Sequence, residues 1–174
     1  MNELEWSKEE KIAAIKEIAV VDDKSENLEA AKAALAILLP NTIVRTFNSA
    51  SEIVMELMFL NYRPTLVLTD LDIEEEDAGF KVNLAAWGYG IPAVVVTAKS
   101  SNDHHGTTTS ISMLNGKFGH AMKNNPETWQ KVIEFILNDK TYAVHYGIMG
   151  IGKREKFDTQ LATTFDVFAR FFLR

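Results

Sequence analysis

The sequence predicts an α/β fold: a doubly wound five-stranded parallel sheet of order 2-1-3-4-5, with extra terminal helices. Short apolar runs rich in β-branched residues recur about every 25 residues, with helical patterns between them. The runs at 18–22, 65–69 and 92–97 are continuously apolar rather than alternating, as expected of strands covered on both faces. The first and third runs also both finish in acids, Asp22 and Asp23 after "IAVV" and Asp70 and Asp72 around "LTDLD". In this strand order the connection reverses between strands 1 and 3, and ligands bind there, outside the carboxyl ends of the strands.

The elements follow in order. Residues 6–17 form an extra helix with Ser7 as N-cap and Glu10 at the capping-box position. Strand 18–22 leads to the helix "SENLEAAKAALAILL", with Ser25 as its N-cap. Strand 42–47, "TIVRTF", is interrupted by Arg45 and reads as an edge strand. The helix "SASEIVMELMFLN" precedes strand 65–69, and a weaker pattern, "GFKVNLAAWG", precedes strand 92–97. A polar loop carries His104 and His105, which have no third ligand near them in the sequence and receive no role. The pattern "TTTSISMLNG" predicts a helix, "FGHAM" at 118–122 the fifth strand, and "NPETWQKVIEFILN" the last core helix, with Pro126 in its first turn. A glycine-punctuated stretch follows, then a segment in which Leu161, Phe165, Phe168 and Phe172 fall at helical spacing. The expected division is an N-terminal helical extension at 1–17, a core domain at 18–139 and a C-terminal extension with an amphipathic aromatic helix at 140–174.

Size and composition bound the function. The 174 residues are 47% hydrophobic, enough for one domain with a real core. Eighteen basic against 24 acidic side chains give a formal charge of -6, which argues against nucleic acid as a partner. No cysteine is present, so thiolate chemistry and disulfides are excluded. The charged N-terminus and the lack of a long apolar segment predict a cytoplasmic protein with no membrane partner.

The polar residues at the strand ends define a chemistry. Asp22 and Asp23 would face Asp70 across the crevice, with Thr97 closing strand 4 and Lys123 closing strand 5. Carboxylates brought that close repel one another unless a hard divalent cation lies among them, and Mg²⁺ prefers oxygen ligands. Asp70 can then attack phosphorus as a carboxylate nucleophile, with Lys123 pairing with one phosphoryl oxygen and the Thr97 hydroxyl donating to another. The product is an aspartyl phosphate.

With those residues in place, 18–139 resembles the receiver domain of two-component response regulators, a flavodoxin-like fold. The resemblance rests on "AVVDD" for the acidic pair, "LVLTDLD" for the phosphoacceptor strand, "IPAVVVTA" for the threonine strand and "NGKFGHAMK" for the approach to the lysine. It implies Asp70 as phosphoacceptor, Asp23 as a direct metal ligand, Asp22 as a ligand through water and Asp72 as a ligand through its backbone carbonyl. Thr97 and His120 would be the switch pair, and Lys123 would hold the phosphate. The implied partners are a histidine kinase or phosphotransfer protein and an unknown downstream protein. The aromatic stripe of the C-terminal helix first of all predicts packing against the domain; the alternative is a dimer or partner surface, formed by that helix or by the fourth helix, fifth strand and fifth helix. The 35 residues after position 139 are too few for an effector module, so a stand-alone receiver is expected. Three departures stand out: the acidic "IEEEDAG" after Asp72 places Gly79 one residue late, Asn124 replaces the proline that usually follows the lysine, and the loop from Thr97 to Lys123 is long.

Two alternatives compete. "LVLTDLD" also fits a phosphatase of the haloacid dehalogenase type, with Asp70 as nucleophile and Asp72 as general acid. That family needs an acidic pair after the lysine, and here the pair comes first. The other alternative is a degenerate receiver that acts as a phosphorylation-independent binding or dimerisation module.

Overall fold

A computed structural model describes residues 7–98, 110–112 and 122–138, the second of these as backbone only. Along the chain run α1 (Lys8–Ala14), β1 (Glu17–Val21), α2 (Ser25–Leu38), β2 (Ile43–Phe47), α3 (Ala50–Phe59), β3 (Leu66–Thr69), α4 (Ala78–Gly88), β4 (Ala93–Thr97), β5 (Ser110–Ser112) and α5 (Pro126–Asn138). The strands form one sheet of order β2-β1-β3-β4-β5, and every pair is parallel. This is the doubly wound arrangement the sequence predicts.

Period-two geometry divides the sheet between two cores. Ile18 and Val20 of β1 join Leu66, Leu68, Val94 and Val96 on one face, packed against Ala31, Leu35, Trp129 and Ile133 of α2 and α5. Ala19, Val21, Val67 and Ala93 point the other way, to Ile53 and Leu57 of α3 and Val82 and Ala86 of α4. All four apolar residues of β1 from Ile18 to Val21 are therefore buried, which is why that strand carries no hydrophobic alternation. By contrast β2 lies at the edge with Ile43 exposed, and its Arg45 pairs with Glu56 at 3.1 Å and stacks over the rings of Phe47 and Tyr62.

The N-terminal helix has the full capping box: Glu10 N–H donates to Ser7 Oγ, and Ser7 N–H donates to the Glu10 carboxylate. It is docked on the domain, because the buried Lys11 donates from Nζ to the carbonyl of Leu137 at 2.8 Å. A cation there also meets the negative end of the α5 dipole.

Two expectations need correction. Residues 110–112 form a strand, with Ser110, Ile111 and Ser112 paired to Val95, Val96 and Thr97, which replaces part of the helix expected from "TTTSISMLNG". Of the 118–122 run read as the fifth strand, 118–121 lie outside the described residues. Finally, Lys24 and not Ser25 is the N-cap of α2; Ser25 is already helical. Residues 113–121 and the C-terminal stripe of Leu161, Phe165, Phe168 and Phe172 lie outside the described residues, as do His104 and His105.

Candidate functional site

The β1–β3 register places Val21 opposite Thr69, so Asp22 and Asp70 are the next residues on neighbouring strands. Asp70 N–H donates to the carbonyl of Val21 at 2.8 Å, extending the ladder to the acids themselves. Asp22 is fully buried and Asp70 nearly so, while Asp23 is exposed. One oxygen from each of Asp22, Asp23 and Asp70 lies within 4.8 Å of the other two.

Lys123 completes the cluster from the far end of the chain. Its buried Nζ is 2.7 Å from Asp22 Oδ2 and 2.5 Å from Asp70 Oδ2. The lysine stands in the turn that opens α5 rather than at the end of β5, where the sequence places it. No peptide bond is cis among the described residues, and Asn124 does not prevent the ammonium from reaching both acids. One ammonium among three carboxylates leaves the cluster net negative. Burial raises the Asp70 carboxyl above its ordinary value, while the adjacent Lys123 pulls it back toward the charged form.

The acids differ in how firmly they are held. Asp22 Oδ1 accepts from Lys24 N–H at 3.0 Å and from Asn27 Nδ2 at 2.9 Å, so that carboxylate is tied to the start of α2. Asp70 Oδ1 accepts from Leu71 N–H at 2.7 Å, and Thr69 donates to the Asp70 carbonyl at 3.0 Å. Asp23 Oδ2 accepts from Glu74 N–H at 3.3 Å. Thr97 closes β4 and is buried; Val95 is opposite Thr69, which places Thr97 beyond the end of β3, on the side where Asp70 stands.

Asp72 is half-buried, and its side chain accepts from Asp77 N–H at 3.1 Å. It is not among the three acids whose oxygens converge. His120 lies outside the described residues.

Two contributors were not singled out as site residues from sequence. Asn27 anchors Asp22 from the first turn of α2; a polar residue on the inward face of an otherwise apolar helix was its only sequence signal. Gly79 lets the N-terminus of α4 press on the loop that follows Asp70. Its N–H donates to the carbonyl of Leu71 at 2.7 Å, and a Cβ there would lie 1.8 Å from the Asp70 carbonyl oxygen. In the loop before Gly79, Glu74, φ 62°, and Asp77, φ 60°, take left-handed backbone.

No family model matches the chain, and no curated protein matches it. Solved structures do. The phosphorylated cyanobacterial phytochrome response regulator RcpA is 21% identical, with 72% of this chain and 96% of that one covered at a TM-score of 0.54. The chemotaxis response regulator CheY4 of Vibrio cholerae is 15% identical, with 70% and 98% covered at 0.51. The N-terminal domain of a response regulator/sensory box/GGDEF three-domain protein from Carboxydothermus hydrogenoformans is 17% identical, with 75% and 100% covered at 0.52. At these identities the shared property is the fold. The chain has the fold of response regulator receiver domains, with an acidic cluster and a lysine at its switch point.

Proposed function

We propose that this protein is a phosphoacceptor signalling domain of a two-component relay, taking a phosphoryl group onto Asp70 from a histidine kinase or phosphotransfer protein. The observation that carries the reading is the convergence of Asp22, Asp23 and Asp70 with the ammonium of Lys123. These groups come from β1, β3 and the turn before α5, and a purely structural ion pair does not need a third, exposed carboxylate.

The donor set fits a hard divalent cation, since all three side chains offer carboxylate oxygens within one small volume. Asp22, Asp23 and Asp70 would hold Mg²⁺, with the Asp72 carbonyl as a further proposed ligand; when bound, the ion offsets charge on the transferred phosphoryl oxygens. The chain's own groups do the rest. A carboxylate oxygen of Asp70 forms the new bond to phosphorus as the bond from phosphorus to the donor's imidazole nitrogen breaks, and that nitrogen leaves as its electron pair returns to the ring. Lys123 exchanges its contact with the Asp70 carboxylate for a phosphoryl oxygen, to which it pairs as a point charge. Thr97, placed just past the end of β3, donates its hydroxyl to a second oxygen and passes the change to β4 and the neighbouring surface. His120 is the proposed second half of that switch.

Incubation with acetyl phosphate and Mg²⁺ tests the reading. The expected result is one phosphoryl group per chain, absent in Asp70→Asn. No incorporation by the wild-type protein would favour the phosphorylation-independent binding module, and sustained turnover of a phosphate ester would favour the phosphatase.

A further inference from the structure

Lys123 has to bring its ammonium between two acids from a turn that lacks the proline usual at the next position, so its backbone must be fixed by something else. Trp129, the fourth residue of α5, donates its indole Nε1–H to the carbonyl of Lys123 at 2.6 Å. Trp129 is itself 1% exposed and lies within the core formed by β1, β3, β4, α2 and α5. The turn is further shaped by Asn125, whose side chain accepts from Glu127 N–H at 3.0 Å and whose own N–H donates to the Met122 carbonyl at 3.1 Å. Neither of those contacts holds Lys123 directly.

The geometry points to Trp129 as a positioning residue for phosphoryl transfer: its buried indole N–H anchors the Lys123 carbonyl and thereby sets the ammonium between Asp22 and Asp70. This inference rests on the proposed function, since the ammonium is placed for a reacting phosphoryl group. An indole held by the core on all sides cannot follow a drifting turn, and the bond sits in an environment of low dielectric where it is strong. In this chain a side-chain donor thus supplies the rigidity that the residue after Lys123 does not.

Two readouts separate positioning from general packing. Reductive methylation of the full chain, followed site by site by mass spectrometry, measures access to each lysine Nζ. In the wild type Lys123 is protected relative to the exposed Lys24. In Trp129→Phe, which keeps an aromatic ring but has no donor, Lys123 labelling is expected to rise roughly tenfold, the worth of about one hydrogen bond. Val132→Ala, which loosens the same core and keeps the indole, leaves Lys123 protected. If Trp129→Phe does not fold, 3-benzothienylalanine at position 129 keeps the shape and removes the donor, and the same rise is expected.

In the second readout, Trp129→Phe binds beryllofluoride roughly tenfold more weakly, while its Mg²⁺ affinity is unchanged or tighter, because the competing ammonium has moved off the acids. Equal Lys123 protection in wild type and Trp129→Phe, or an equal rise in Val132→Ala, overturns the inference. A wild-type protein that ignores beryllofluoride instead overturns the proposed function, and the labelling still decides whether Trp129 positions Lys123.

Discussion

Replacing Gly79 by alanine tests how closely α4 is pressed against Asp70. The added Cβ would meet the Asp70 carbonyl oxygen at 1.8 Å, the Asp70 carbonyl carbon at 2.8 Å and the Leu71 Cα at 2.9 Å, all of them backbone atoms. Helix propensity alone would favour alanine by up to about 1 kcal/mol. Sterics decide the other way, because no flexible side chain can give way and relief requires the helix start and the Asp70 loop to separate by about an ångström, a form of overpacking worth roughly 1–3 kcal/mol. The Gly79 N–H bond to Leu71 at 2.7 Å is stretched in the process, adding about 1 kcal/mol. Urea denaturation should show a loss of about 1–3 kcal/mol after the propensity gain is allowed for. Asp70 moves with its loop, so phosphorylation by acetyl phosphate should slow by about ten- to a hundredfold, as misplacement on that scale does elsewhere. A variant within about 0.5 kcal/mol of wild type, phosphorylated at the normal rate, would refute the reasoning.

Lys123→Ala removes the cation that faces Asp22 and Asp70, whose side chains are 1% and 11% exposed. Without divalent ion it should cost about 3–5 kcal/mol in urea denaturation, and saturating Mg²⁺ should stabilise it more than the wild type; equal stability would place little charge strain in the cluster. The raised Asp70 carboxyl implies a folded state that holds its proton more tightly than the unfolded chain does. Wild-type stability, measured without divalent ion, should therefore fall relative to Asp70→Asn as pH climbs from the unperturbed 3.8 upward through the folded value, and a difference independent of pH would contradict this. The Tyr62 hydroxyl is buried with no hydrogen bond of normal geometry among the described residues, and burial, reinforced by the nearby Glu17 carboxylate, raises it well above the ordinary phenol range. Tyr62→Phe should thus be neutral or stabilising by up to about 1 kcal/mol in thermal denaturation, whereas a loss would reveal a bond at that oxygen.

Much of this was legible because the relevant physics is local. Burial on both faces requires continuous apolar strands, and Ile18–Val21, Leu66–Thr69 and Ala93–Thr97 show it directly. The sheet order then fixes which strand ends meet, so Asp22, Asp23 and Asp70 could be placed together without knowing a single distance. Lys123 could be placed for the same reason, although the element that carries it was misjudged. Its ammonium reaches the acids from the turn before α5, a tertiary outcome of how α5 packs on α2 that no local pattern encodes. The helix expected over 110–112 is a strand because "SIS" fits a helical spacing as well as an extended run, and only pairing with Val95–Thr97 decides between them. Asp72 is read from the resemblance as a ligand through its backbone carbonyl, and its side chain, which that reading leaves unassigned, accepts from the amide of Asp77. Ser25 is already helical, with Lys24 in the N-cap position and no side chain capping there, a shift of one residue at a helix end that propensity alone does not decide.

The central claim is that Asp70, and no other acid of the cluster, forms the bond to phosphorus. Borohydride reduction of protein treated with acetyl phosphate and Mg²⁺ converts an acyl phosphate to the corresponding alcohol, which peptide mass spectrometry locates. The account predicts reduction at residue 70 alone; reduction at Asp22, Asp23 or Asp72, or at no residue in a protein that retains its fold, would contradict it.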